Sequence, residues 1–522
     1  MMGRKLRVKL ITIPWELEVP TLGLACLAAV TPTDYFDVCI VDVLRERLIL
    51  DEPVDLVGIS ASTPRINAAY ALADFYRRRG AVVVMGGHHV TALPEEALKH
   101  ADAVVCGEGE GAWMQICEQM LTDPKQVSGI YKVPIFDLGA LPLPRVDLMK
   151  IHRYQPYYYP IIATRGCPEM CSFCFAKRMT RGYRTHPIRY VIEQIQQRPK
   201  WVKALYFVDD NLAGDLDYAR ELFKEMRKFD IPFGMQVRNE FSQNTDDLHL
   251  AREAGCALIS SGFESINQTN LNKTGKRANA SIYKEIISNI QNEGIIASGN
   301  WMFGFDGDTP SSFRDTLEFL IESQIFHSSF TVEIPYPGTP TYRRLLKEGR
   351  ILTTDYDQYI GKDRVVFQPK NMSVEELEEG IRWLTLQYYS LSNRRRLSKA
   401  ALQNERFFSE FQGWKRTAAV SFLDYYQVWQ WKYRMIPSLR WLYDRLIPLN
   451  KYRYVQDLFR GTNFWNTSFT PAEVGPGLLT SESPFVEQMG VMAPGKNKAL
   501  LPSNETSLKL PNASDKNNAP PT

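Results

Sequence analysis

The first 135 residues alternate short β-branched runs with stretches of helical spacing. KLRVKLITI, FDVCIVDV, VDLVGISA, AVVVMGG and ADAVVCG each end on Gly or small residues, and stretches such as NAAYALADFYRRRG and PEEALKH lie between them. Short apolar runs separated by helices predict a parallel, doubly wound sheet for residues 1–135. The alternation repeats on a larger scale over residues 136–370. YPIIATRG, ALYFVDD, PFGMQV, ALISSGFES, IASGNWMFGF and FTVEIPY read as strands, with RYVIEQIQQR, DYARELFKEMRKF and YKEIISNIQNEG among the helices between them. About six such βα units predict a partial or complete barrel.

Beyond residue 370 the strand pattern stops. Residues 371–465 read as a helical cap, opening with Ser373 three residues before Glu376, the spacing of a capping box. From Trp414 to Arg460 there are nine Lys or Arg against three Asp, and the stretch holds four of the ten tryptophans. That composition allows an interfacial helix on anionic lipid, but Pro437 and Pro448 break it into short pieces, which fits a folded cap better. Residues 466–522, rich in Pro, Asn, Ser, Thr and Lys, read as a disordered tail.

Charge and composition exclude some classes. A net charge of +3 over 522 residues gives no basic stripe, so no nucleic-acid partner is expected. No apolar run is long enough for a membrane span, and Val8 to Ile13 is too short for a signal-peptide core; the expected location is cytoplasmic. Eight cysteines in this length do not make a disulfide scaffold. Cys26, Cys39, Cys106, Cys117 and Cys256 are scattered in apolar contexts and read as small core residues.

The remaining three fall within eight residues, in ATRGCPEMCSFCFAK, with spacing Cys-x3-Cys-x2-Cys. Three thiolates from Cys167, Cys171 and Cys174 would hold three irons of a 4Fe-4S cubane and leave the fourth open. The loop follows a strand, which sets it at the barrel mouth, where βα loops build active sites. A structural zinc site would need a fourth ligand, for which His186 is the candidate.

Together with the aromatic residue before its last cysteine, this motif resembles the radical S-adenosylmethionine superfamily. The resemblance implies that S-adenosylmethionine binds the open iron, and that one electron splits it to a 5′-deoxyadenosyl radical that abstracts hydrogen. An electron donor such as flavodoxin or ferredoxin is implied as a partner. It further implies that Phe173 lies against the adenine and that Asp209, Asp210 and Asn211, in FVDDN, reach the methionine amino group. Glu264, in GFES, would bond the ribose, and the backbone around Asn300 and Gly304 would line the adenine. Two of these have a plainer reading: a helix N-cap for the FVDDN residues and a rim salt bridge for Glu264. YPGTP, from Tyr336 to Pro340, resembles the sixth-strand end but also makes an ordinary turn.

A doubly wound domain ahead of such a barrel resembles the cobalamin-binding branch of that superfamily, over roughly residues 6–390. On that resemblance the nucleotide tail of cobalamin enters a slot at the strand ends. Ser60 and Thr63 would bond it, Gly86 and Gly87 would admit the backbone, and Gly107 and Glu108 would line the far side. The Asp-x-His-x-x-Gly motif that supplies a histidine to cobalt is absent; His88 and His89 have the wrong spacing. The implied reaction is methylation of an unactivated carbon in a small-molecule or lipid substrate. The alternatives are a cobalamin-assisted cyclisation, rearrangement or oxidation, and a metal-stabilised binding protein without turnover. No residue is singled out as a catalytic acid, base or nucleophile.

Overall fold

The computed structural model describes residues 4–14, 22–43, 45–133, 137–154, 158–180, 182–361, 364–405, 417 and 420–421. The expected tail, and the aromatic and basic segment from Trp414 onward apart from residues 417, 420 and 421, lie outside the described residues.

The first sheet contains β1 (Leu6–Ile13), β2 (Phe36–Asp42), β3 (Leu56–Ala61), β4 (Val82–Gly86), β5 (Ala103–Val105) and β6 (Gly129–Tyr131). Their order is β2-β1-β3-β4-β5-β6, and every pairing is parallel. β6 is a sixth strand that its short GIY run did not announce. The alternation along β1 explains the double winding. Val8 and Leu10 join the core under the helices Gly23–Ala29 and Glu110–Thr122, whereas Ile11 and Ile13 join the core under the helix Ile66–Arg78. A sheet apolar on both faces needs cover on both. The order reverses direction between β1 and β3, and such a switch point opens a crevice at the strands' carboxyl ends.

The second sheet runs β7 (Tyr158–Ile161), β10 (Ala204–Phe207), β11 (Phe233–Gln236), β12 (Cys256–Glu264), β13 (Ile296–Phe303) and β14 (His327–Val332), adjacent in that order and all parallel. β7 and β14 remain edges among the described residues, so the barrel is partial. Two further strands, β8 (Thr164–Arg165) and β9 (Arg184–Thr185), form a small antiparallel ribbon at the exit of β7.

The predicted capping box is present: Ser373 Oγ accepts from Glu376 N at 3.1 Å, and the Glu376 carboxylate accepts from Ser373 N at 2.7 Å. It starts the helix Val374–Tyr388, which packs beneath β14 and is followed by Leu391–Gln403. Tyr388 and Tyr389 donate to the carbonyls of Ile325 and Ser328, and buried Arg394 donates to that of Phe326. One apolar cluster runs without interruption from the first sheet into the second. The carboxyl ends of the two sheets are thereby held against each other, where the cavities lie.

Candidate active site at the junction of two sheets

The cysteine loop hangs from the β8–β9 ribbon, and its base has no slack. A Cβ on Gly166, at φ +81°, would meet Gly182 O at 2.5 Å. Asp209, fully buried at the end of β10, fixes the same base by accepting from Ala163 N, from Thr164 N and from Thr164 Oγ1 at 2.7 Å. Burial pushes its carboxyl up to about 7 despite those donors. The far end of the loop is fastened by Ser172 N to Thr274 O at 2.8 Å and by Thr341 N to Ser172 O at 3.1 Å.

Cys167, Cys171 and Cys174 are all free and line one cavity of about 430 Å³. Burial pushes each thiol up, Cys174 to about 11, so the metal-free residues are neutral and poor nucleophiles. Among the described residues, no three His, Cys, Asp or Glu side chains close on a single ion. His186 does not line the cavity: it is buried, stacked on Tyr190 at 4.3 Å, and held neutral by burial with a value of about 4. That geometry does not supply the fourth ligand a zinc site needs. Three thiols around a roomy cavity, open to a fourth corner, fit a cubane with one free iron.

A second cavity, about 300 Å³, lies at the carboxyl ends of β3, β4 and β5. Ser60, Gly86, Gly87, Gly107 and Glu108 line it, as expected for the tail slot. Its walls are largely apolar, with Leu24, Leu27, Val84 and Trp113 among them. Close packing forbids side chains at its floor: a Cβ on Gly58 would come within 2.8 Å of Leu10 and 3.1 Å of Trp113. A Cβ on Gly86 would meet nothing nearer than Val105 O at 3.7 Å. Space is thus left open beside Gly86, and its apolar lining would suit an aromatic base. Thr63 is the exception. It lies outside this slot, buried where Thr63 Oγ1 and His89 Nδ1 are 3.4 Å apart, because the turn Thr63–Arg65 carries it over the far side of β3.

The third cavity, about 470 Å³, joins the two domains. Ser62, Thr63, Pro64 and His88 come from the first; Phe173, Cys174, Asp210, Met302, Thr331 and Tyr336 are among those from the second. Ser62 Oγ here is buried without a partner. His88 stands edge-on to Phe175 at 5.5 Å, and burial lowers its basicity. His89 points elsewhere, with Nε2 3.2 Å from Glu96.

Several expected contacts do not reach these cavities. Glu264, at φ +60°, is held in a buried ion pair with Lys276 at 2.9 Å, the rim salt bridge of the plainer reading. Asn300 is a rung between strands: Nδ2 donates to Ser260 Oγ at 3.0 Å, and Oδ1 accepts from Ser329 Oγ at 2.7 Å. Gly304 turns its open side to Phe367 and Leu377, each 3.0 Å from a Cβ there. The FVDDN residues are not a helix cap either, since Asp215 caps the next helix. Asn211 Oδ1 is buried without a partner and Asn211 lines none of the three cavities, whereas Asp210 lines the second and the third.

Sequence reasoning missed the polar joint between the domains. Arg165 donates to Glu110 at 2.6 Å and to Glu108 at 3.3 Å, and Arg184 also donates to Glu108. The only signal was a charged residue two places before the first cysteine, in a strand too short to show a period.

These features define a radical S-adenosylmethionine fold fused to a cobalamin-type slot. Residues 161–320 match the model of the Radical SAM superfamily and residues 8–116 that of the B12 binding domain. The chain belongs to the branch of that superfamily in which a B12-binding domain precedes the radical domain. It is 29% identical to bacteriochlorophyllide d C-12(1)-methyltransferase of Chlorobaculum tepidum over 70% of this chain and 81% of that protein. It is 25% identical to the anaerobic magnesium-protoporphyrin IX monomethyl ester cyclase of Rubrivivax gelatinosus, over 61% and 62%. In fold it is similar to the radical S-adenosylmethionine methyltransferase TsrM of Kitasatospora setae, with a TM-score of 0.59 at 15% identity, covering 75% of this chain and 90% of that one.

Proposed function

We propose that this protein methylates an unactivated carbon of a small, largely apolar molecule. The cavity shared by both domains carries this reading: it places Cys174 and Phe173 of the radical domain and His88 of the B12-binding domain on one space. Cys167, Cys171 and Cys174 would hold the 4Fe-4S cluster, and Ser60, Gly86, Gly87, Gly107 and Glu108 the cobalamin tail. Together these cofactors supply a carbon-centred radical and a transferable methyl group.

The chain's own residues bind, orient and exclude water. Phe173, on the wall of the shared cavity, offers a face for the adenine of S-adenosylmethionine. Met302, Val332, Ile334 and Tyr336 give the shared cavity an apolar wall. Burial keeps Tyr336 protonated, raises the Asp210 carboxyl above its usual range and lowers the basicity of His88. An electron carrier of the flavodoxin or ferredoxin kind would reduce the cluster. Among the described residues no helix is long and apolar enough to cross a membrane.

The similarity to a cyclase favours one second reading, radical oxidation or ring closure without methyl transfer. Coproducts separate the two. Turnover with apolar ring substrates, followed by liquid chromatography, is expected to release S-adenosylhomocysteine and 5′-deoxyadenosine in step. 5′-Deoxyadenosine with substrate loss but no S-adenosylhomocysteine would establish the second reading instead.

A further inference from the structure

We propose that Arg165 and Arg184, joined on Glu108 and Glu110, are positioning residues that couple filling of the tail slot to the geometry of the cysteine loop. The inference rests on the cobalamin reading above. β8 and β9 are the two stems of the loop that carries Cys167, Cys171 and Cys174, and Arg165 and Arg184 face each other across them in register. Both donate to one carboxylate, Glu108, and Arg165 also holds Glu110 at 2.6 Å. Glu108 and Glu110 belong to the B12-binding domain, and with Arg165 and Gly166 they form part of the slot wall.

The joint is dry. The side chains of Arg165, Glu108 and Glu110 are 8%, 7% and 6% exposed. A buried ion cluster tolerates little displacement of one member without cost to the others. Backbone contact reinforces it: a Cβ on Gly107, at φ +83°, would lie 3.2 Å from Met179 O on the cysteine loop. A tail seated against Glu108 must fix that carboxylate, and through it both stems of the loop. Coupling between binding sites is reciprocal, so an ordered cluster must also favour the filled slot.

The test titrates the full chain with hydroxocobalamin, anaerobically, before and after cluster reconstitution, reading affinity from the cobalamin absorbance. In the wild type the cluster is expected to tighten cobalamin binding by at least about fivefold. Arg165→Lys keeps the charge but loses the planar fork that spans two carboxylates, and should bring that ratio close to one. Arg184→Lys, at a side chain 20% exposed, should lower it in part, and it carries the test if Arg165→Lys does not fold. A merely structural role would weaken binding equally with and without the cluster and leave the ratio intact. A wild-type ratio of one, or an unchanged ratio in both variants, overturns the coupling alone. Failure of the cluster-loaded wild type to bind cobalamin overturns the cobalamin reading with it.

Discussion

Replacing Cys167, Cys171 or Cys174 by Ala is expected to remove the brown iron–sulfur absorbance and to abolish 5′-deoxyadenosine formation from S-adenosylmethionine. The three thiols share one cavity, and no His stands among its lining residues to replace a lost ligand. With two thiolates left, a cubane has no stable seat, so the loss should be total rather than graded. Cys39, which is exposed, and Cys106, which is half-buried, are the proper controls, because Ala there removes a thiol without opening a core cavity. Both controls should keep wild-type iron content and wild-type cleavage. Cys256 is fully buried, and its Ala variant should lose about 1–2 kcal/mol of stability while keeping the cluster. Iron and sulfide assays beside chromatography of the adenosyl product make the comparison.

Gly86→Phe should empty the slot without harming the cluster. The backbone at Gly86 has no positive φ, and a Cβ there touches nothing closer than 3.7 Å, so the chain accepts a side chain. The ring must then grow into the space between Val84, Val105 and Trp113 that a cobalamin tail would take. Cobalamin affinity is expected to fall by more than about a hundredfold, about 2.7 kcal/mol or more. Iron content and 5′-deoxyadenosine formation should persist, while S-adenosylhomocysteine should no longer form. Retained cobalamin in this variant would place the tail somewhere other than this slot.

Both sheets were legible in the sequence because their strands are apolar runs separated by helices of the right length. Strand register and order were not, yet every strand of the second sheet was named, and only β6 was missing from the first. The cysteine loop was legible because three thiols crowded at a strand exit add little to a core and much to a metal. Gly86, Gly87 and Gly107 stood out because small residues at strand ends leave room there, and all three line one cavity. Glu264, Asn300 and Gly304 show where local pattern stops informing. Their partners, Lys276, Ser329 and Phe367, are set by tertiary packing that no spacing reveals. Thr63 failed for a similar reason: a turn of three residues moved it from the slot to His89. The Glu108–Arg165–Glu110–Arg184 joint unites positions up to 76 residues apart, a pairing that no local window contains.

The central claim is that one chain brings an iron–sulfur cluster and a cobalamin to a common cavity. The most direct test is the microwave-power saturation of the Co(II) electron paramagnetic resonance signal in protein loaded with both, compared with protein loaded with cobalamin alone. A reduced cluster on the far wall of the same cavity must speed relaxation of the cobalt spin. The account predicts a Co(II) signal that is markedly harder to saturate when the cluster is present and reduced. Identical saturation with and without the reduced cluster would contradict it.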